Sequence, residues 1–148
     1  MWKRLKIVLP EGWSDHSHEN PEGPPTFIRD RSQVPGAVQV SSAQYKGGAV
    51  PNPIPDDLIA LSRGIGERQE AARLLETHSG ECTFGIWGTA VFRTSECQRF
   101  QIWHLSNGRD LIFITHICCD EPDPDELAEA QDIVNRLNLA DRPWWRIW

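Results

Sequence analysis

Two apolar runs, residues 100–105 and 111–118, flank Ser106-Asn107-Gly108-Arg109. Asn-Gly between such runs predicts a β-hairpin, because both residues accept the positive φ of a tight primed turn. With Asn107 and Gly108 as the loop, Ser106 faces Arg109, His104 faces Leu111, Ile102 faces Phe113 and Phe100 faces Thr115. These side chains share one largely apolar face with Ile117. The other face pairs Leu105 with Asp110, Trp103 with Ile112, Gln101 with Ile114 and Arg99 with His116. Bulky apolar groups therefore lie on both sides, whereas a half-exposed sheet alternates cleanly. The pattern predicts central strands of a sheet covered on both faces.

The cover follows in the chain. Leu127, Ala130, Val134 and Leu137 fall on one helical stripe with Ile133 beside it. Asp123 suits the N-cap, Pro124 the first helical position, and Glu126 the capping-box position three residues after the cap. A second helix is predicted from Asp56 or Pro55, with Leu58, Ile59, Leu61 and Ile65 buried and Gly64 and Gly66 ending it. Residues 5–9, 26–29 and 36–45 read as strands, and 13–25 as a polar loop. Residues 73–78 and 83–92 read as strands around a Ser79-Gly80 turn. Strands joined by short turns, with two helices apart in sequence, predict an α+β fold: a mainly antiparallel sheet flanked by helices on both faces. The 148 residues are expected to form a single domain (1–148).

The order of motifs then carries a resemblance. Leu9-Pro10-Glu11-Gly12-Trp13 is followed by Pro25-Thr26-Phe27, a strand over 36–41 and a helix after prolines. Next come Gly85-Ile86-Trp87-Gly88, Trp103 to Leu105 with the Asn-Gly turn, Ile114-Thr115-His116 and a closing helix over 129–137. This layout resembles the PsbP-like fold, shared by the photosystem extrinsic protein, the Ran-binding Mog proteins and many small bacterial proteins. The resemblance implies an α/β/α sandwich. It implies little about function, since the fold serves as a binding module in unrelated processes. No motif here carries over Ran binding or manganese-complex binding.

A net charge of −6 argues against non-specific nucleic-acid binding, which needs a basic surface. No apolar run is long enough to span a bilayer, so membrane insertion is not expected. Met1-Trp2-Lys3-Arg4 has a signal peptide's charges, but Pro10-Glu11-Gly12 cuts the apolar run short. A cytoplasmic bacterial protein is the simplest expectation. Cys82, Cys97, Cys118 and Cys119 lack zinc-site spacing and are expected to be free thiols, with a Cys82–Cys97 bridge as the alternative.

Seven acids and no base lie between Asp120 and Asp132, which helix initiation accounts for and which also offers Asp120, Glu121 and Asp123 to a basic partner. Trp144, Trp145 and Trp148 crowd the C-terminal tail, residues 140–148, expected to pack on the body or to bind a partner. Trp87, Trp103 and His116 are candidates to line a pocket between sheet and helix. His16 and His18 with Asp15 and Glu19 form the most ligand-like loop, but a competent metal site needs further ligands fixed by the fold. His116 and Cys118 share a face but stand about 7 Å apart along one strand, with no oxyanion-hole motif. Gly85 and Gly88 are expected to let Trp87 pack or to mark a bulge. No catalytic residue, metal or cofactor is therefore expected. The expectation is a non-enzymatic binding protein with a protein partner, such as an accessory or immunity-type protein of a bacterial secretion or toxin system. The alternative is a small-molecule binder or hydrolase with a cleft between sheet and helix.

Overall fold

A computed structural model describes residues 5–43 and 52–139. The strands are β1 (Leu5–Lys6), β2 (Trp13–Asp15), β3 (Thr26–Arg29), β4 (Ala37–Ala43), β5 (Arg73–Glu81), β6 (Ile86–Arg93), β7 (Arg99–Ser106), β8 (Leu111–Cys118) and β9 (Asn138–Leu139). The helices are α1 (Pro55–Gly66) and α2 (Pro124–Arg136), and a single 3-10 turn covers Ser17–Glu19. Seven strands form one antiparallel sheet in the order β2-β3-β4-β8-β7-β6-β5, so the β7–β8 hairpin lies mid-sheet. β1 and β9 pair separately. The Trp-rich tail lies outside the described residues.

Cross-strand partners share a face, and the two faces bury two cores. Trp103, Leu105, Ile112, Ile114, Val38 and Val40 pack with Ala130, Ile133 and Val134 of α2 and with its C-cap Leu137. On the other face Ala90, Phe92, Phe100 and Ile102 pack with Ile65. There α1 crosses so close to β6 that a Cβ on Gly88 would meet the Ile59 amide nitrogen at 2.6 Å. The two-faced hairpin and its helical cover are as the residue pattern predicts.

Several local expectations are corrected. The hairpin pairs Ser106 with Leu111, His104 with Phe113 and Trp103 with Ile114, two residues away from the expected register. The loop holds four residues, because Asn107 Oδ1 accepts the amides of Arg109 (2.9 Å) and Asp110 (2.7 Å), and of the loop residues only Gly108 takes a positive φ. An even shift keeps every side chain on its expected face. Residues 13–15, expected in a loop, form β2. The turn expected at Ser79-Gly80 lies instead at residues 82–85, where Cys82 and Gly85 exchange both backbone hydrogen bonds. Gly80 stays in β5, and a Cβ there would strike the Trp87 indole at 2.7 Å. Gly80, rather than Gly85 or Gly88, is thus the residue that admits Trp87. In α1 the buried stripe is Leu58, Ser62 and Gly66, while Leu61 is exposed.

Ser62 is buried because it has a partner: its hydroxyl lies 2.8 Å from His104 Nδ1. Burial pushes His104 down to about 4 from the usual 6.5. The unfolded chain therefore takes up the proton first, and the stability held by neutral His104 is full above pH 6.5 and lost as pH falls toward 4. At about 1.4 kcal/mol per pKa unit the loss reaches about 3 kcal/mol. Urea midpoints measured between pH 7 and 4 should fall accordingly, and His104→Gln should flatten that slope. Separately, Gly88→Ala should cost about 1–3 kcal/mol in urea unfolding, through overpacking against the α1 backbone.

Candidate functional site

The first turn of α2 settles on the sheet through a buried polar network. Asp123 caps the helix, its side chain accepting from the Asp125 amide at 2.9 Å. Glu126 does not complete a capping box. It lies four residues before Ala130, on the same buried stripe, and is only 1% exposed. Its carboxylate accepts from the Ser32 hydroxyl (2.6 Å), the Gly36 amide (3.0 Å) and His116 Nε2 (2.7 Å). Burial would push this carboxyl up, but the hydrogen bonds from His116 and Ser32, the His116 charge and the Gly36 amide hold it at about 2. A carboxylate accepting from Nε2 requires the proton there, and buried Nδ1 has no partner among the described residues.

Arg29 extends the network. Its guanidinium, 6% exposed, donates to Ser32 Oγ (3.1 Å) and Asp123 (3.0 Å) and pairs with Glu129 (3.3 Å). Burial opposes the charge, and Glu129 and Asp123 outweigh it, so the pKa rises further. Trp13 Nε1 donates to Glu129 at 3.0 Å. β2, β3, the turn before β4, β8 and α2 are thus joined by one chain of charge-assisted hydrogen bonds.

Cys118 completes the cluster. His116 and Cys118 are not held apart along the strand as their spacing suggests, because imidazole Nε2 comes within 3.4 Å of Sγ. Sγ also lies 3.7 Å from Glu126 Oε2. The three residues are nevertheless not a nucleophilic relay. Such a relay needs the thiol and the carboxylate on opposite imidazole nitrogens, whereas both meet Nε2 here. Burial, then the Glu126 charge, pushes the thiol up to about 12, so no thiolate forms at neutral pH. The arrangement can anchor a helix or chelate a cation.

The other candidates separate. Trp87, Trp103 and His116 share the α2 face of the sheet. Trp103 and His116 are at most 1% exposed, Trp103 donates to Gln131 Oε1 (3.2 Å), and Trp87 packs on Gly80. Asp120 and Glu121 are exposed, while Asp123 is engaged by the helix cap and Arg29. His16 has both ring nitrogens occupied, by Ser14 (3.0 Å) and Glu19 (3.1 Å). Trp144, Trp145 and Trp148 lie outside the described residues. All four cysteines are free, with Cys118 buried and Cys119 exposed. Residue spacing missed Glu126, Ser32 and Gly36. The available signal was that Glu126 continues the apolar stripe of α2.

An antiparallel sheet with a helix on each face defines an α/β/α sandwich. Within that class the chain has the PsbP-like fold. It superposes on the solution structure of cyanobacterial PsbP (CyanoP) from Synechocystis sp. PCC 6803 with a TM-score of 0.51 at 9% identity, over 92% of this chain and 86% of that one. It superposes on LpqN, involved in cell envelope biogenesis of Mycobacterium tuberculosis, with a TM-score of 0.58 at 8% identity, over 93% of this chain and 83% of that one. No protein-family model matches the sequence, and no curated protein matches it. At these identities the likeness establishes the fold alone. No helix among the described residues is long and apolar enough to cross a membrane.

Removing one partner from a buried, hydrogen-bonded charge leaves the others unsatisfied, typically at about 3–5 kcal/mol. Glu126→Ala should therefore lower the unfolding free energy by about that amount in urea titrations. Asp125→Ala, at an exposed position one residue earlier, should change it by less than about 1 kcal/mol.

Proposed function

We propose that this protein is a non-enzymatic binding module that takes an extended segment of a protein partner along β5. The observation that supports this reading is the state of that strand. Among the described residues β5 runs for nine residues at the sheet edge, paired on one side only, and all but Gly80 are exposed. The opposite edge, β2, is three residues long and tied to α2 through Trp13. A long edge presents a row of backbone donors and acceptors, and an added strand satisfies them while alternate side chains set specificity.

Apolar exposure is concentrated at the same place. Of the five exposed large hydrophobic residues among the described ones, Leu74 and Leu75 lie at the start of β5, and Ile54 and Leu61 belong to the cap and body of α1, which packs beside it. Thr77 and His78 alternate across the strand further on. A partner segment with apolar residues opposite Leu74 and Leu75 fits this edge. The net charge of −6 favours a basic partner by steering its approach. An accessory or immunity-type role beside a bacterial toxin or secreted effector is the concrete form of this reading.

Tagged protein purified from its native host at several salt concentrations should retain a partner. Leu74→Lys/Leu75→Lys should weaken that retention at least about 10-fold, because a lysine-bearing edge resists strand addition. Both positions are exposed, so the melting temperature should move little. Backbone amides across residues 73–81 should gain hydrogen-exchange protection when the partner is added. Recovery of the protein alone, or a partner held equally well by the lysine variant without protection at β5, would overturn the proposal.

A further inference from the structure

We propose that His116 Nε2, Cys118 Sγ and Glu126 Oε2 form a binding site for a thiophilic divalent metal ion, with zinc the best fit. Among the described residues these are the only three His, Cys, Asp or Glu side chains whose ligand atoms converge, all within 4.8 Å of one another. The donor set is one imidazole, one thiolate and one carboxylate, which suits zinc and is too soft for magnesium or calcium.

The spacing suits a shared ion. With usual zinc bond lengths, a tetrahedral centre places its nitrogen, sulfur and oxygen ligands about 3.3–3.6 Å apart. The observed separations are 3.4 Å for Nε2–Sγ and 3.7 Å for Sγ–Oε2. Nε2 and Oε2, at 2.7 Å, are closer only because a hydrogen bond joins them. Replacing that proton with an ion requires them to part by about 0.6 Å.

The surroundings supply what a metal centre needs around its ligands. Ser32 holds the second carboxylate oxygen of Glu126, and the Gly36 amide holds Oε2, so the carboxylate is oriented before any ion arrives. Gly36 is required at this point. A Cβ there would lie 2.7 Å from Cys118 Sγ and 2.9 Å from Glu126 Oε2. Exposed Asp120 and Glu121 come two and three residues after Cys118 in the chain.

Binding exchanges the ion for the protons on two of its ligand atoms. The ion displaces the Cys118 thiol proton to solvent and takes the place of the proton on His116 Nε2, the neutral imidazole then carrying its proton on Nδ1. Two anionic ligands and one neutral ligand then balance the divalent charge, which burial demands. The three side chains leave the fourth position to a non-protein ligand.

The full-length protein, stripped with chelator and kept reduced, should be titrated with cobalt(II) as a spectroscopic substitute and then with zinc. The expected result is one cobalt per chain, with the ultraviolet thiolate-to-cobalt charge-transfer band, displaced by one zinc. Zinc at 100 times its dissociation constant should also raise the unfolding free energy by about 2.7 kcal/mol. Cys118→Ser should abolish the band and weaken zinc binding at least about 100-fold, whereas Cys119→Ser should retain both. If Cys118→Ser does not fold, the Cys119→Ser variant, carrying Cys118 with Cys82 and Cys97, decides alongside Cys82→Ser/Cys97→Ser. Absence of a thiolate band in folded wild-type protein, or its loss on Cys119→Ser, would overturn the site.

Discussion

The burial of Glu126 constrains everything at the α2 end of the molecule. A carboxylate removed from water without partners costs several kcal/mol, more than a typical single contact returns. Three donors offset that cost: the Ser32 hydroxyl, the Gly36 amide and His116 Nε2. They come from the turn after β3, the residue before β4 and the C-terminal end of β8, so satisfying one anion fixes three segments against the helix. Hydrophobic packing of Ala130, Ile133, Val134 and Leu137 would tolerate a helix slid or rotated slightly along the sheet. The carboxylate does not tolerate it, because a shift of an ångström breaks all three hydrogen bonds together.

Arg29 carries the same constraint across the sheet. Its guanidinium sits under α2 with Asp123 and Glu129, while Ser32 relays between it and Glu126. Its value is positional more than energetic, because a buried ion pair often only breaks even against an apolar replacement. Trp13 joins through Glu129, which explains why the short β2 is held at all. On the opposite face the polar content is small and neutral, Ser62 against His104, and there α1 is positioned by the missing side chains of Gly66 and Gly88. One helix is thus located by charge and the other by shape.

The layering was legible because strand alternation survives errors in loop length. Residues 100–105 and 111–118 carry apolar groups at both parities, and an even shift in pairing leaves that signal unchanged. Loop length was not legible, since Asn107 supports a four-residue turn through its side chain as readily as a two-residue turn through its backbone. Ser79-Gly80 carried turn chemistry, yet Gly80 is there to admit an indole from the neighbouring strand. The candidate site was illegible for a related reason. Glu126 falls three residues after an N-cap and also four before Ala130, and local capping accounts for it without any tertiary structure. Only coordinates choose between those readings. His116 and Cys118 were separated by their Cα spacing, although an imidazole is long enough to close that gap.

The same physics separates the two proposed activities in space. Around Glu126 nearly every polar atom already has a partner, so a new ligand must displace protons instead of adding contacts, and a small cation does so with little movement of the backbone. Along β5 the reverse holds. Among the described residues the strand's outer backbone edge has no neighbouring strand, Leu74 and Leu75 are exposed, and an incoming chain gains hydrogen bonds there. Four strands lie between β5 and β3, which carries Arg29. A metal that stiffened the α2 end would therefore leave the β5 edge unchanged unless the sheet twisted as a body. Partner binding and metal binding are accordingly independent by default, and any measured coupling between them would have to run through the β7–β8 hairpin that joins the two halves of the sheet.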